Sequence, residues 1–171
     1  MLASRQRTRR RAPCKRHSRR DGSLAWVAAL FATARYWKAM STQNVETLRR
    51  AYEALGRGDV EGILEVCDSQ IECQLPEGGI DAGTLRGRRS LRTLLEGYLD
   101  AFDEYRAEPE RYLEAGDRVV VFVRISGRGR GSDLPFEQRP AHLWTIREGK
   151  AVRVEVFPRG EGALEAAGLS N

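Results

Sequence analysis

The sequence predicts an α+β domain in which helices come first and a run of strands follows. Between Val45 and Phe102, most apolar residues recur every three or four positions, which is the period of an amphipathic helix. Beyond about residue 110 they alternate with polar residues, which is the period of a half-buried strand. Glycine-containing turns separate these later segments, at residues 115–117 and 148–149. Helices followed by such a meander are typical of a sheet packed against helices.

Local signals set the limits of each predicted element. Ser41 or Thr42 can cap the first helix, and Asp59 can cap the second. Pro76 ends the first strand, because proline lacks the N–H that a sheet needs, and the four glycines that follow it, up to Gly87, predict a loop. The predicted helices cover residues 43–55, 60–67 and 88–105, with a last helical turn at 161–168. The predicted strands cover residues 71–75, 111–114, 119–126, 136–147 and 151–157.

Charge divides the chain into two parts. Residues 1–39 carry eleven basic residues and one acidic residue, a balance of +10, whereas residues 40–171 carry eighteen basic and twenty-three acidic residues, a balance of −5. The acidic part gives no reason to expect that the folded domain binds nucleic acid. We therefore expect a basic N-terminal extension, 1–39, joined to one domain, 40–171, which is long enough to bury a core.

Three interpretations of the basic extension stay open. Two arginine clusters, at residues 9–11 and 19–20, precede an apolar run from Leu24 to Ala34, as in a secretory signal. The second interpretation is a basic arm that binds a polyanion, and the third is a stretch upstream of a true start at Met40. We favour the third, and with it a cytoplasmic domain. The apolar run is too short to span a membrane as a helix.

The cysteines indicate no metal site. Cys14 and His17 have the spacing of a ligand pair, but no second pair accompanies them. We expect Cys67 and Cys73 to be small buried apolar residues rather than a disulfide. The sequence also has no nucleotide-binding loop and no nucleophile motif, so we expect no cofactor.

His142 is the one histidine outside the basic extension, and it lies in an apolar, strand-like run from Pro140 to Ile146. Such an imidazole is either a packed core residue or the polar group of a pocket. In a pocket it could act as an acid or a base near neutral pH. Its environment therefore decides most of the functional question.

Three short motifs stand at the junctions of the predicted elements. Tyr52-Glu53-Ala54-Leu55 precedes a Gly-Asp pair at 58–59, Glu148-Gly149-Lys150 precedes the last strand, and residues 163–169 form a small apolar segment. In this order the motifs resemble the nuclear transport factor 2-like fold and, within it, the SnoaL-like group, over about residues 41–169. The resemblance implies a homodimer of cone-shaped domains. In each, a curved, mixed or antiparallel sheet wraps around the N-terminal helices and encloses an apolar pocket.

The resemblance also implies a site. Cyclases and ketosteroid isomerases of this group carry a cavity aspartate where His142 falls, so His142 is the candidate catalytic acid or base, with Tyr52 or Glu155 assisting. Gln138 and Trp144 share a strand face with His142, because side chains alternate along a strand. The candidate ligand-binding residues are Leu75, Tyr98, Phe102, Gln138 and Trp144.

The sequence departs from the catalytic members of the group. The isomerase base precedes the proline that ends its strand, and this chain has Leu75 there. The isomerase tyrosine falls near Ala51, one place from Tyr52. Arg124 and Glu155 are the only counterparts of the aspartate-arginine-aspartate set of the epoxide hydrolases. No complete known active site is therefore carried over.

Three functional hypotheses follow. The favoured one is a domain that binds a small hydrophobic molecule in an apolar pocket. The second is a cofactor-independent cyclase, isomerase or hydrolase that uses His142 as acid or base. The third is a non-catalytic dimeric interaction module whose cavity is filled by its own side chains. An open apolar pocket beside His142 would count against the third.

Overall fold

The computed structural model describes residues 43–77, 82–132 and 134–169. The basic extension with its possible export signal, Cys14, His17 and the predicted caps Ser41 and Thr42 lie outside these residues. Within them the chain forms four helices and seven strands, and the predicted α+β class is confirmed. The helices are α1 (43–56), α2 (Val60–Val66), α3 (Gly87–Ala101) and α4 (Gly160–Ala167). The strands are β1 (Cys67–Leu75), β2 (Gly83–Arg86), β3 (Phe102–Ala115), β4 (Arg118–Gly129), β5 (Pro135–Gln138), β6 (Ala141–Arg147) and β7 (Lys150–Phe157).

The strands form one mixed sheet in the order β2-β1-β7-β6-β4-β3, with β5 also paired to β4. β1 and β7 run parallel, and the other pairs run antiparallel. The predicted turn between β6 and β7 is confirmed. Glu148 and Gly149 both have positive φ, 51° and 74°, as a two-residue turn of the mirror-image type requires. This hairpin places β6 in the interior of the sheet, between β4 and β7.

The two faces of the sheet bury different clusters, because successive residues of a strand point to opposite faces. Val119, Val121 and Val123 of β4 belong to the larger cluster, which also contains residues of α1, α2 and α3. Val120 of β4 and Leu143 of β6 point the other way and pack with α4. The larger cluster therefore lies on the face that α1, α2 and α3 cover.

The third helix is shorter than predicted, and the strand after it is longer. The apolar spacing predicts a helix to Tyr105, but α3 ends at Ala101, and Phe102 has an extended backbone with φ −128° and ψ 134°. Phe102 pairs with Gly129 at the start of β3, and its ring centroid is 4.3 Å from that of Phe136. Tertiary contacts with β4 and β5 therefore override a helical pattern that continues through residue 105.

Three other strand boundaries differ from the prediction. The predicted strand 136–147 is two strands, β5 and β6, because Pro140 cannot donate a ladder hydrogen bond. The predicted loop between Pro76 and Gly87 contains β2, which pairs with β1 as an edge strand. β1 itself begins at Cys67, where helical spacing predicted the end of the second helix.

Asp59 caps α2 as predicted. Its carboxylate accepts a hydrogen bond from the backbone N–H of Gly62 at 2.9 Å. We expect Asp59→Ala to lower the free energy of unfolding by about 1 kcal/mol, because one N–H at the helix start loses its partner. Asp59→Asn keeps an acceptor and should cost less than half of that. Urea unfolding of both variants measures the difference, and equal losses would contradict the capping role.

Candidate functional site

A cavity of about 650 Å³ lies between the sheet and the helices α1, α2 and α3. Its wall is mainly aliphatic and aromatic. None of the described lining residues is a lysine or an arginine, and Glu77 is the one carboxylate among them. The cavity is therefore apolar and nearly free of formal charge. The lining residues with polar atoms in their side chains are Tyr52, Cys73, Glu77, Tyr98, Tyr105, Gln138, His142 and Trp144.

The structure brings most of the predicted site residues to this cavity. Two of the three catalytic candidates, Tyr52 and His142, line it. Their roles stay predictions, since position alone does not assign chemistry. The predicted ligand-binding residues also line it, namely Leu75, Tyr98, Phe102, Gln138 and Trp144.

Glu155, the third catalytic candidate, is not brought to the cavity. Its neighbours along β7, Val154 and Val156, line the cavity, so Glu155 points to the opposite face of the sheet. There it forms an ion pair with Arg153 at 3.2 Å, and Arg153 also donates to Gln74 at 2.6 Å. Glu155 is therefore part of a polar ladder on the outer face and is no partner for His142.

Tyr52, His142 and Trp144 form a hydrogen-bonded cluster on the cavity wall. The Tyr52 hydroxyl lies 2.6 Å from His142 Nδ1, and Trp144 Nε1 donates to the same hydroxyl at 3.1 Å. The Tyr52 ring is stacked with the His142 ring and edge-on to the Trp144 ring. The three side chains thus hold one another in a single arrangement.

Two elements supply this cluster. Tyr52 belongs to the buried face of α1, one helical turn after Leu48, and is 4% exposed. His142 and Trp144 are two residues apart on β6 and therefore point to the same face. Tyr52 contacts both of these side chains, so α1 packs against this face of β6 and brings the phenol onto the imidazole.

Burial shifts the pKa values of the cluster toward neutral forms. Desolvation lowers the pKa of His142 to about 4, because the charged imidazolium would lie in an apolar environment. Desolvation also raises the pKa of Tyr52 far above its usual range, and the hydrogen bond from Trp144 offsets part of this rise. At neutral pH the cavity therefore holds a neutral imidazole and a protonated phenol.

A second group of aromatic side chains lines another part of the cavity. The Tyr98 and Tyr105 rings are stacked at 6.2 Å, and Phe102 contacts both Tyr105 and Phe136. Burial raises the pKa of Tyr105 to about 12, so its hydroxyl stays protonated. Sequence reasoning missed Tyr105 and Phe136 as lining residues, since it placed Tyr105 on a helix. Simple alternation from Phe102 would place Tyr105 on the opposite face, and the irregularity in β3 between Asp103 and Arg106 brings both rings to the cavity.

The remaining polar lining residues differ in depth. Cys73 is buried on β1, and burial raises the pKa of its thiol to about 11, so it stays protonated. Gln138 and Glu77 are exposed, which places them at the opening of the cavity. Cys67 and Cys73 are both free and buried, as predicted. In the described part of the chain, no group of three or more His, Cys, Asp or Glu side chains could hold a metal ion.

Comparison with known proteins decides the family. The SnoaL-like domain profile matches residues 48–154, which is more than half of the chain. The chain belongs to the SnoaL-like family. The resemblance inferred from the motifs is thus confirmed, and the match covers the whole Tyr52–His142–Trp144 cluster. No curated protein matches this SnoaL-like chain at a significant level.

Solved structures give the same fold. TerC, crystallised with polyporic acid, is 28% identical, with a TM-score of 0.62 over 74% of this chain and 98% of TerC. A nuclear transport factor 2-like protein from Burkholderia xenovorans is 30% identical, with a TM-score of 0.59 over 68% of this chain and 89% of that protein. A putative SnoaL-like polyketide cyclase from Jannaschia is 18% identical, with a TM-score of 0.61 over 77% and 94%, and shows the fold alone.

Among the described residues, no helix is both long enough and apolar enough to cross a bilayer.

Proposed function

We propose that this SnoaL-like domain binds a small hydrophobic molecule in the cavity between its sheet and its helices α1 to α3. The observation that carries the proposal is the cavity wall, which is apolar except for a few polar groups held in fixed positions. Pockets for small molecules are concave, mostly apolar and of roughly 300 to 1,000 Å³. The cavity, at about 650 Å³, falls within that range.

The open cavity weighs against an interaction module filled by its own side chains. Large side chains such as Phe102, Phe136 and Trp144 line the space without filling it. A ligand of matching size gains packing contacts with the apolar lining and removes apolar surface from water, which gives a driving force for binding.

Acid–base catalysis by His142 has weaker support than binding. A pKa of about 4 makes the imidazole a weak base, and Nδ1 is already occupied by the Tyr52 hydroxyl. Among the described lining residues, Glu77 is the one carboxylate, and it lies at the opening. The catalytic alternative predicts that His142→Ala abolishes turnover while the variant remains folded.

A binding measurement tests the proposal. We expect isothermal titration of the full-length chain with benzophenone, a neutral aromatic ketone, to show saturable binding at one site per chain. Polyporic acid is the second probe, because TerC was crystallised with it. A bound ligand should also raise the melting temperature, since it binds only the folded state. Absence of binding by both probes would contradict the proposal, and formation of a product would favour the catalytic alternative.

The proposal extends to assembly and location. The family resemblance implies a homodimer, which light scattering should detect as twice the mass of the chain. A monomer would contradict the proposed homodimer but not the proposed binding of a small molecule. A cytoplasmic location fits the free thiols of Cys67 and Cys73, because disulfides form in oxidising compartments.

A further inference from the structure

The hydrogen bonds of the Tyr52–His142–Trp144 cluster have a direction. Indole Nε1 can only donate, so Trp144 donates to the Tyr52 oxygen. The phenol keeps its own proton, because burial raises the pKa of Tyr52. Among the described residues, the acceptor found within hydrogen-bond distance of that proton is His142 Nδ1. The chain of donors therefore runs from Trp144 through Tyr52 to His142.

This direction fixes the tautomer of the imidazole. A neutral imidazole carries one proton, and a ring nitrogen that accepts a hydrogen bond is the unprotonated one. Because His142 Nδ1 accepts from Tyr52, the proton lies on Nε2.

The protonated nitrogen opens into the cavity. No described residue is a hydrogen-bond partner of His142 Nε2. Among the described residues, His142 Nε2 is not one of the fully buried side-chain atoms that lack a hydrogen-bond partner. Since the ring itself lines the cavity, an Nε2–H that has no protein acceptor is available to a ligand there.

The lack of cationic residues in the cavity wall limits which ligands can accept a hydrogen bond from this N–H. A carboxylate ligand would lose its hydration without meeting a cation, because no described lining residue is a lysine or arginine. A hydrocarbon would leave the N–H without a partner. The phenols of Tyr98 and Tyr105 can both donate and accept hydrogen bonds, so they do not require that the ligand carry an acceptor.

We propose that the His142 Nε2–H, held in this tautomer by Tyr52 and Trp144, selects uncharged apolar ligands that carry a carbonyl oxygen. This inference rests on the proposed binding function and adds the ligand class. His142 is then a binding residue, and Tyr52 is a positioning residue that acts through it.

Three ligands of similar shape test the ligand class: benzophenone, diphenylmethane without the carbonyl, and 2-benzoylbenzoate with an added carboxylate. We expect the full-length chain to bind the ketone about tenfold more tightly than the hydrocarbon, as one hydrogen bond to a buried donor allows. The carboxylate should bind at least tenfold more weakly than the ketone. Equal affinities for ketone and hydrocarbon would overturn the inference but leave the proposed function standing. Absence of binding by any of them would overturn both.

Tyr52→Phe tests the positioning role. Without the phenol, Nδ1 loses its donor and both neutral tautomers become accessible, so the preference for ketone over hydrocarbon should fall to about twofold. Tyr112→Phe is the matched control, because it removes a hydroxyl from a tyrosine that does not line the cavity. Loss of the preference in Tyr105→Phe instead of Tyr52→Phe would overturn the assignment to His142.

Nitrogen-15 NMR of the free, unsubstituted chain gives a readout that needs no variant to fold. We expect His142 Nδ1 to resonate as an unprotonated acceptor and Nε2 as a protonated nitrogen at pH 7. His142→Asn identifies the signals, since His17 is the other histidine of the chain. A protonated Nδ1 would overturn the inference whatever the binding results.

Discussion

Ile125→Trp is expected to weaken ligand binding about a hundredfold, or by about 2.7 kcal/mol. Ile125 lies on β4 and lines the cavity. Along β4 it lies between Val121, which pairs with His142, and Gly127, which pairs with Phe136. The six steps along the strand from Val121 to Gly127 span about 20 Å. An indole at residue 125 would therefore divide the cavity between the histidine cluster and the aromatic group.

Arg124→Trp is the matched control for this substitution. Arg124 is the preceding residue of β4, so it points to the other face, where it forms an ion pair with Glu108. That ion pair is half exposed, and its loss should cost at most about 1 kcal/mol of stability. We expect ligand affinity to be unchanged in Arg124→Trp.

Calorimetric titration of both variants with benzophenone distinguishes blocking of the cavity from general damage. The extra volume in Ile125→Trp is expected to cost less stability than it would in a filled core, because the side chain enters empty space. Equal affinities of the two variants would show that the ligand does not occupy the cavity. The proposed function would then need another site.

The order of elements in the SnoaL-like domain was predictable because each depends on local signals. The alternation of β4, the turn at Glu148-Gly149 and the cap at Asp59 are all encoded within a few residues. The end of α3 was not predictable in this way. Tyr98, Phe102 and Tyr105 continue a helical spacing, and the contact between Phe102 and Phe136, distant in sequence, decides the extended backbone.

The sequence predicted residues that line the candidate site, but not the hydrogen bonds that join them. Strand alternation places His142 and Trp144 on one face, and helical spacing places Tyr52 on the buried face of α1. Which of them touch depends on how α1 packs against β6, and 90 positions separate Tyr52 from His142. Glu155 is the opposite case. The family resemblance made it a catalytic candidate, but the alternation of side chains along β7 places it on the outer face of the sheet, away from the cavity.

His142 is expected to make the stability of the domain depend on pH between about 6.5 and 4. Burial lowers the pKa of the folded His142 to about 4, and the unfolded chain has the ordinary value of about 6.5. Between these values the unfolded state binds more protons than the folded state, so stability rises with pH. The full contribution is present above pH 6.5 and is lost as the pH falls to 4. The shift corresponds to about 3 kcal/mol.

His142→Asn isolates this contribution from the carboxylates that also titrate near pH 4. The amide does not titrate, and its oxygen can still accept a hydrogen bond from Tyr52. Urea unfolding at pH 7.5 and pH 4 should show that the unsubstituted chain loses about 3 kcal/mol more than the variant. Equal losses would mean that the imidazole is protonated in the folded state at pH 4 as readily as in water. That result would contradict the placement of the His142 ring in an apolar environment, which is the cause of the lowered pKa.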